Sequence, residues 1–200
     1  SKMHLYLDTS HFLSVGLLDD NLEWLHFEHH EKLQHSADIH AQIFEILKNF
    51  NVEALELKSV FLCNGPGSYT GIRLGEGIAQ LFELSKIPVL SFHQYEIPKI
   101  LGVTEGQWVC HAFKKEVFNY HWNDDKVWDE LISADDWEKT SSALYTHQPI
   151  GPWQDQDPMM TTQLLKENPK TIFSYLKDNN IRRESYYFRP LDKEFKRSVV

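Results

Sequence analysis

The chain is short of cysteine, of long apolar runs and of positive charge, and each shortage narrows what it can be. Only two of its 200 residues are cysteine, Cys63 and Cys110, and both stand in apolar runs that read as strands. Reduced thiols in the core are expected, not a disulfide framework. No stretch approaches the ~18 apolar residues that a membrane-spanning helix needs. The opening Ser1-Lys2-Met3 carries no apolar signal region, so a cytoplasmic chain is expected. Lys and Arg number 20 against 29 Asp and Glu, a formal net charge of −9. A protein that grips nucleic acid by itself usually presents a basic face, and direct strong binding of that kind is not expected. The one local exception runs from Arg182 to Val200, with six Lys/Arg against three Asp/Glu. Internal repeats and low-complexity tracts are also missing from the sequence.

What is present suits a folded chain. Apolar residues make up 42% and aromatics 13%, above the range of disordered segments. The length allows one compact domain or two small lobes. Met3 to Asp8, Phe12 to Leu18 and Leu22 to His29 read as three short strands, with Asp19-Asp20-Asn21 as the second turn. Ile39, Ile43, Ile46, Leu47 and Phe50 recur at spacings of three and four, which predicts a helix. A strand over 59–63, a second helix over 72–84 and a strand over 88–92 follow. Gly102 to Gly106 marks a lobe boundary. Beyond it come a hairpin around Lys114-Lys115, a helix start at Ser133 with acids in its first turn, a loop over 148–159, and helices over 162–168 and 169–178, the second opening on Pro169. Taken alone, this order indicates an α/β protein.

The densest information lies at Asn64-Gly65-Pro66-Gly67-Ser68-Tyr69-Thr70-Gly71-Ile72-Arg73-Leu74-Gly75. Glycines where a strand turns into a helix allow close approach of backbone or ligand. The pattern is not a P-loop, because Ile72-Arg73 stands where Lys-Ser/Thr is required. The dinucleotide spacing is missed by one residue, with Pro66 inside it. It is not a nucleophile elbow, since Ser68 is followed by Tyr69-Thr70 before the next glycine. A tight connection capped by Ser68 satisfies the same residues.

As a string, Gly65 to Gly75 resembles the signature of the TsaB (YeaZ) family of tRNA threonylcarbamoyladenosine synthesis, with Tyr69, Ile72 and Leu74 as mild changes. Leu5 to Ser10 with Leu13 to Leu17 resembles the family's opening hairpin, and His35-Ser36 the start of its first long helix. Glu116-Val117-Phe118 and Tyr187-Phe188-Arg189-Pro190 resemble later family segments. His111-Ala112-Phe113 departs from the family's Asp-Ala-Arg, so an acid and a base are replaced. The resemblance implies an actin/hexokinase/Hsp70-like (ribonuclease H-like) fold of two lobes, mixed sheets flanked by helices. Residues 1–103 would form the first lobe and 104–200 a shortened second, the last residues packing back on the first. It also implies a non-catalytic subunit that binds and activates TsaD, joined by the ATPase TsaE, with self-pairing when alone. No cofactor of its own is expected, with ATP or ADP only at the complex interface, and tRNA is reached only through the complex.

A contact through the first-lobe helices is implied likewise. Gly71, Gly75 and Ala79 recur every four residues and would form a smooth ridge. His35, Ile39, Ile43, Ile46, Arg73, Ile78 and Phe82 complete the expected interface, beside the loop residues Gly65, Pro66, Gly67, Ser68, Tyr69 and Thr70. The apolar sets of both helices, with Phe44 in one and Leu81 in the other, are wider than one narrow stripe. Two enzymatic alternatives are a glycopeptidase-like metallohydrolase and a small actin-like ATPase or kinase with Asp8 in its phosphate turn. The eleven histidines do not make a metal site by spacing. His35 and His40, five apart, diverge by about 140° on a helix, and His26 and His30 lie about 13 Å apart along a strand.

Overall fold

The computed structural model describes residues 2–31, 36–141 and 143–188. Along the chain lie β1 (His4–Asp8), β2 (Leu13–Leu18), β3 (Trp24–His30), α1 (Ser36–Asn49), β4 (Ser59–Cys63), α2 (Tyr69–Leu84), β5 (Val89–Phe92) and α3 (Glu96–Ile100). Then follow β6 (Glu105–His111), β7 (Glu116–Asn123), β8 (Lys126–Ser133), β9 (Leu144–Thr146), β10 (Met159–Met160), α4 (Thr161–Glu167) and α5 (Pro169–Asp178). Two compact units result. Among the described residues, one joins those up to 93 with 169–186, and the other holds those of 94–168 with 187 and 188. A division at 103/104 leaves α3 with the first lobe, whereas its contacts with α4 place it in the second unit. Among the described residues no helix is long and apolar enough to cross a membrane.

In the first unit the strand order is β3-β2-β1-β4-β5, with only β2 reversed. Asp19 shapes the β2–β3 turn, its Oδ1 accepting from the Asn21 and Glu23 N–H groups at 2.9 and 3.0 Å. β1, β2 and β4 are buried throughout, as strands covered on both faces are. Alternation along β1 sorts the two faces. Leu5 and Leu7 pack in one core with Ile39, Ile43 and Ile46 of α1 and Ile78 and Ala79 of α2. Tyr6 packs instead with Trp24 (5.8 Å between ring centroids) and with Phe173 of α5 (5.5 Å), and Phe173 lies 4.6 Å from Phe61. After α5, residues 181–183 run parallel to β5: Ser91 N–H donates to Ile181 O at 3.0 Å, and Arg183 N–H to Ser91 O at 3.1 Å.

The second unit repeats that topology as β8-β7-β6-β9-β10, with only β7 reversed. Its crossovers differ. A single 3-10 turn, Ala134–Asp136, stands between β8 and β9, and another, Gln154–Gln156, between β9 and β10. The helix expected from Ser133 therefore stops after one turn. Ser133 does cap it, accepting from Asp135 N–H, but Trp137 is already extended. The residues that follow, Glu138 to Ser141, are polar and supply no apolar stripe. Side chains of the sheet hold this segment instead. Gln107 Nε2 donates to Glu138 O (3.0 Å), Thr140 N–H to Gln107 Oε1 (2.9 Å), and Trp137 Nε1 to Asn119 Oδ1 (2.9 Å). Cys63 and Cys110 are buried thiols that are not joined in a disulfide.

Candidate functional site

The glycine loop lies against the turn that follows β1. A Cβ on Gly67 would meet Ser10 O, one on Gly71 would meet Thr9 O, and one on Gly75 would come within 2.6 Å of Thr9 Oγ1. Thr9 Oγ1 donates to Gly71 O at 2.7 Å. Gly67 and Gly71 are thus required by backbone packing within the chain, and Gly75 by the approach of the Thr9 and Leu62 side chains. Ser68 caps α2 by accepting from Gly71 N–H, and the Gly65–Pro66 bond is cis. Asp8 is 5% exposed, and its Oδ1 accepts from Ser10 N–H (2.9 Å) and Ser10 Oγ (2.6 Å). It is bonded into its own turn, as short turn carboxylates commonly are.

A second set of side chains ties this loop to residues 182–186. Asn64 is 1% exposed. Its Nδ2 donates to Glu76 Oε2 (3.0 Å) and Arg183 O (3.1 Å), and its backbone O accepts from Tyr186 N–H (2.9 Å). Gly67 N–H donates to Tyr186 O at 3.3 Å. Arg182 reaches Glu76 Oε1 and Glu83 Oε1, both at 2.9 Å, and Ser91 Oγ at 3.0 Å. Burial works against its charge, but the hydrogen bonds to Glu83 and Glu76 prevail, and the guanidinium is held above its usual range. Nothing in the local sequence marks Arg182 out from the basic tail around it. Its partners lie about a hundred positions upstream.

The expected helix-face residues fall into two groups. Ile39, Ile43, Ile46, Ile78 and Ala79 are at most 5% exposed, and Gly75 is buried. The ridge of Gly71, Gly75 and Ala79 is therefore corrected. It faces the chain's own Thr9 turn and core, because a helix packs most closely where its side chains are smallest. Arg73 is exposed and bonded to Tyr69 OH at 2.7 Å, Phe82 is half-buried, and His35 lies outside the described residues. The outward apolar groups are others: Phe44 (65% exposed), Leu55 (72%), Leu81 (60%) and Leu84 (78%). A groove of about 180 Å³ runs between α1 and α2, with Phe44, Leu55, Leu81 and His40 among its lining. The width of the two apolar stripes is the sequence signal for Phe44 and Leu81. Leu55 and Leu84 carried none.

His26 and His30 converge on Glu28 between them, with Nε2 to carboxylate distances of 2.7 and 2.9 Å. Among the described residues no group of three or more His, Cys, Asp or Glu is arranged to hold a metal ion. In the second unit His111 Nε2 bonds to Ile150 O at 2.8 Å, and Phe113 is exposed.

Two sheets of the same order, each with one reversed strand, together with the inter-strand helices of the first, define an actin/hexokinase-like fold. The chain is similar in sequence to TsaB proteins and in fold to YeaZ. It is 32% identical to the tRNA threonylcarbamoyladenosine biosynthesis protein TsaB of Buchnera aphidicola, over 48% of this chain and 48% of that protein. Identity to the TsaB of Escherichia coli K12 is 28%, over 48% of this chain and 39% of that protein. The match thus spans about half the length of these curated relatives, or less. The structure of YeaZ from Pseudomonas aeruginosa shares the fold with a TM-score of 0.58 at 18% identity, covering 88% of this chain and 93% of that one. No family model matches the chain.

Proposed function

We propose that this chain is a non-catalytic subunit of tRNA threonylcarbamoyladenosine synthesis that binds and activates TsaD. In this reading TsaD moves the threonylcarbamoyl group from its adenylate to the adenosine beside the anticodon, and TsaE joins the assembly. The chain reaches tRNA only through the complex, in the cytoplasm, and any ATP or ADP sits at the complex interface. The observation that carries the reading is the exposed apolar set Phe44, Leu55 and Leu81 lining the α1–α2 groove. Contiguous apolar surface of this kind marks interaction sites, and a groove between two helices suits an apolar helix face. The names of the curated relatives support the pathway. An accessory role is supported by the bonding of Asp8 into its own turn and by His111 and Phe113 where the family carries an acid and a base.

The test is Leu81→Glu, because Leu81 is exposed and its loss leaves the core intact. Gly75→Trp is unsuitable, since it would disrupt the Thr9 contact whatever the partner. Leu81→Glu should retain the wild-type melting temperature and lose at least about tenfold in affinity for TsaD. In a reconstitution with TsaD, TsaE, tRNA, threonine, bicarbonate, ATP and the adenylate synthase, modified nucleoside should fall with it. Unchanged affinity refutes the face. Full modification without the chain refutes the function.

A further inference from the structure

One wall of the groove belongs to α2, through Ile78, Leu81, Phe82 and Ser85. Buried Ile72, Gly75, Ile78 and Ala79 seat this helix on its sheet. Apolar contacts have no direction, so they do not by themselves set the roll of the helix about its own axis. Roll matters to the groove. At a radius of about 6 Å, a roll of about 20° moves a side-chain tip by about 2 Å. Directional bonds on a flank are what fix it.

Arg182 supplies such bonds. Its Nη2 donates to Glu76 Oε1 and to Glu83 Oε1, both at 2.9 Å. Nη1 donates to Glu76 Oε2 at 3.2 Å, and Nε reaches Glu83 Oε2 at 3.5 Å. Both carboxylates are thus taken by the guanidinium fork. Seven residues separate them, about 10 Å along the axis but only about 20° around it, so one side chain grips two turns of a single flank. Leu81 lies on the opposite flank, about 140° from Glu76 and about 160° from Glu83. Arg182 is itself anchored. Its Nη1 donates to Ser91 Oγ at 3.0 Å, and Ile181 and Arg183 on either side bond to the Ser91 main chain. Ser91 is fully buried in β5. Directional bonds therefore run unbroken from the sheet, through Arg182, to the flank of α2 opposite Leu81.

We propose that Arg182 is a positioning residue for partner binding: by clasping Glu76 and Glu83 it sets the roll of α2 and holds Leu81 at the docking groove. This rests on the reading of the α1–α2 face as the site for TsaD. The test uses the full chain with labelled leucine and isoleucine methyl groups, together with titration by TsaD well below each variant's melting temperature. Arg182→Gln should shift the Leu81 methyl resonances, keep the parent's near-ultraviolet dichroism, and weaken TsaD binding at least about fivefold. Arg182→Lys keeps the charge without the fork and should recover only part of that affinity. Glu83→Gln removes one grip at an exposed position, should weaken binding by a smaller factor, and takes over the test if Arg182→Gln does not fold. A variant that melts lower yet binds TsaD with the parent's affinity makes the clasp merely structural and overturns the proposal. Unmoved Leu81 methyl resonances overturn it too. Parent affinity in Leu81→Glu refutes the docking face instead, and the methyl resonances alone then decide whether Arg182 sets the roll of α2.

Discussion

His4 has the environment a histidine seldom occupies. It is 1% exposed in the middle of unit one's sheet; its Nδ1 bonds Ser59 Oγ, its ring tilts against Phe61, and its Nε2 has no hydrogen-bond partner among the described residues. Burial, with smaller contributions from Lys177 and Lys58, pushes its pKa down to about 4. The unfolded chain takes up that proton near 6.5, so between the two values it binds more protons than the folded one. Stability is then complete above pH 6.5 and is lost as pH falls towards 4, by about 3 kcal/mol. His29, lowered by its own burial, adds a slope of the same sign. Urea titrations at several pH values should show this loss, and His4→Gln should flatten it to the part left by His29. An unchanged slope in His4→Gln would place the proton uptake elsewhere. The sequence does not distinguish His4 from the other ten histidines, because its polar and aromatic partners, Ser59 and Phe61, come from the distant β4 and not from its own neighbours.

At the scale of elements, α2 answers two questions with one face each. Gly75 points inward, where a Cβ would lie 2.6 Å from Thr9 Oγ1 and 3.2 Å from Leu62 Cδ1. Gly77 points outward, with nothing within 4 Å. Gly75→Ala should therefore destabilise by about 2 kcal/mol through overpacking, whereas Gly77→Ala should stabilise by about 0.5–1 kcal/mol through helix propensity. Denaturation midpoints of the two variants test the orientation of the helix directly, and a Gly75→Ala at least as stable as the parent would contradict it. The glycine string was legible as a special strand-to-helix junction, and its capping serine with it. Which side of α2 the glycines occupied was not legible, since a four-residue spacing of small residues serves an internal sheet as well as a partner. The strand β8 went unread for a related reason. Its alternation of Lys126, Val127, Trp128 and Asp129 buries neither face, so no apolar periodicity marks it.

The whole molecule follows from the path of the chain. The order of strands and helices through residue 92 was readable, because each element there has its own apolar period. The repetition of that topology in the second unit was not, since an extended segment held by Gln107 and Asn119 and, further on, a single 3-10 turn stand where the first unit has helices. The path also makes the first unit depend on residues that follow most of the second in the chain. Its sheet buries one face under α1 and α2, but Tyr6 and Phe61 meet α5 on the other, through Phe173, with Ile172 and Leu176 also fully buried. Removing three such side chains from the core forfeits roughly 6 kcal/mol, comparable to the whole stability of a typical domain. A fragment of residues 1–93 should accordingly lack a cooperative melt and bind a hydrophobic dye. The same fragment joined through a flexible glycine-serine linker to residues 169–188 should recover both a cooperative transition and native near-ultraviolet dichroism, because that piece returns α5 and the Arg182 contacts to Glu76 and Glu83. Cooperative unfolding of 1–93 by itself would mean that α5 merely decorates a sheet already stable from one side.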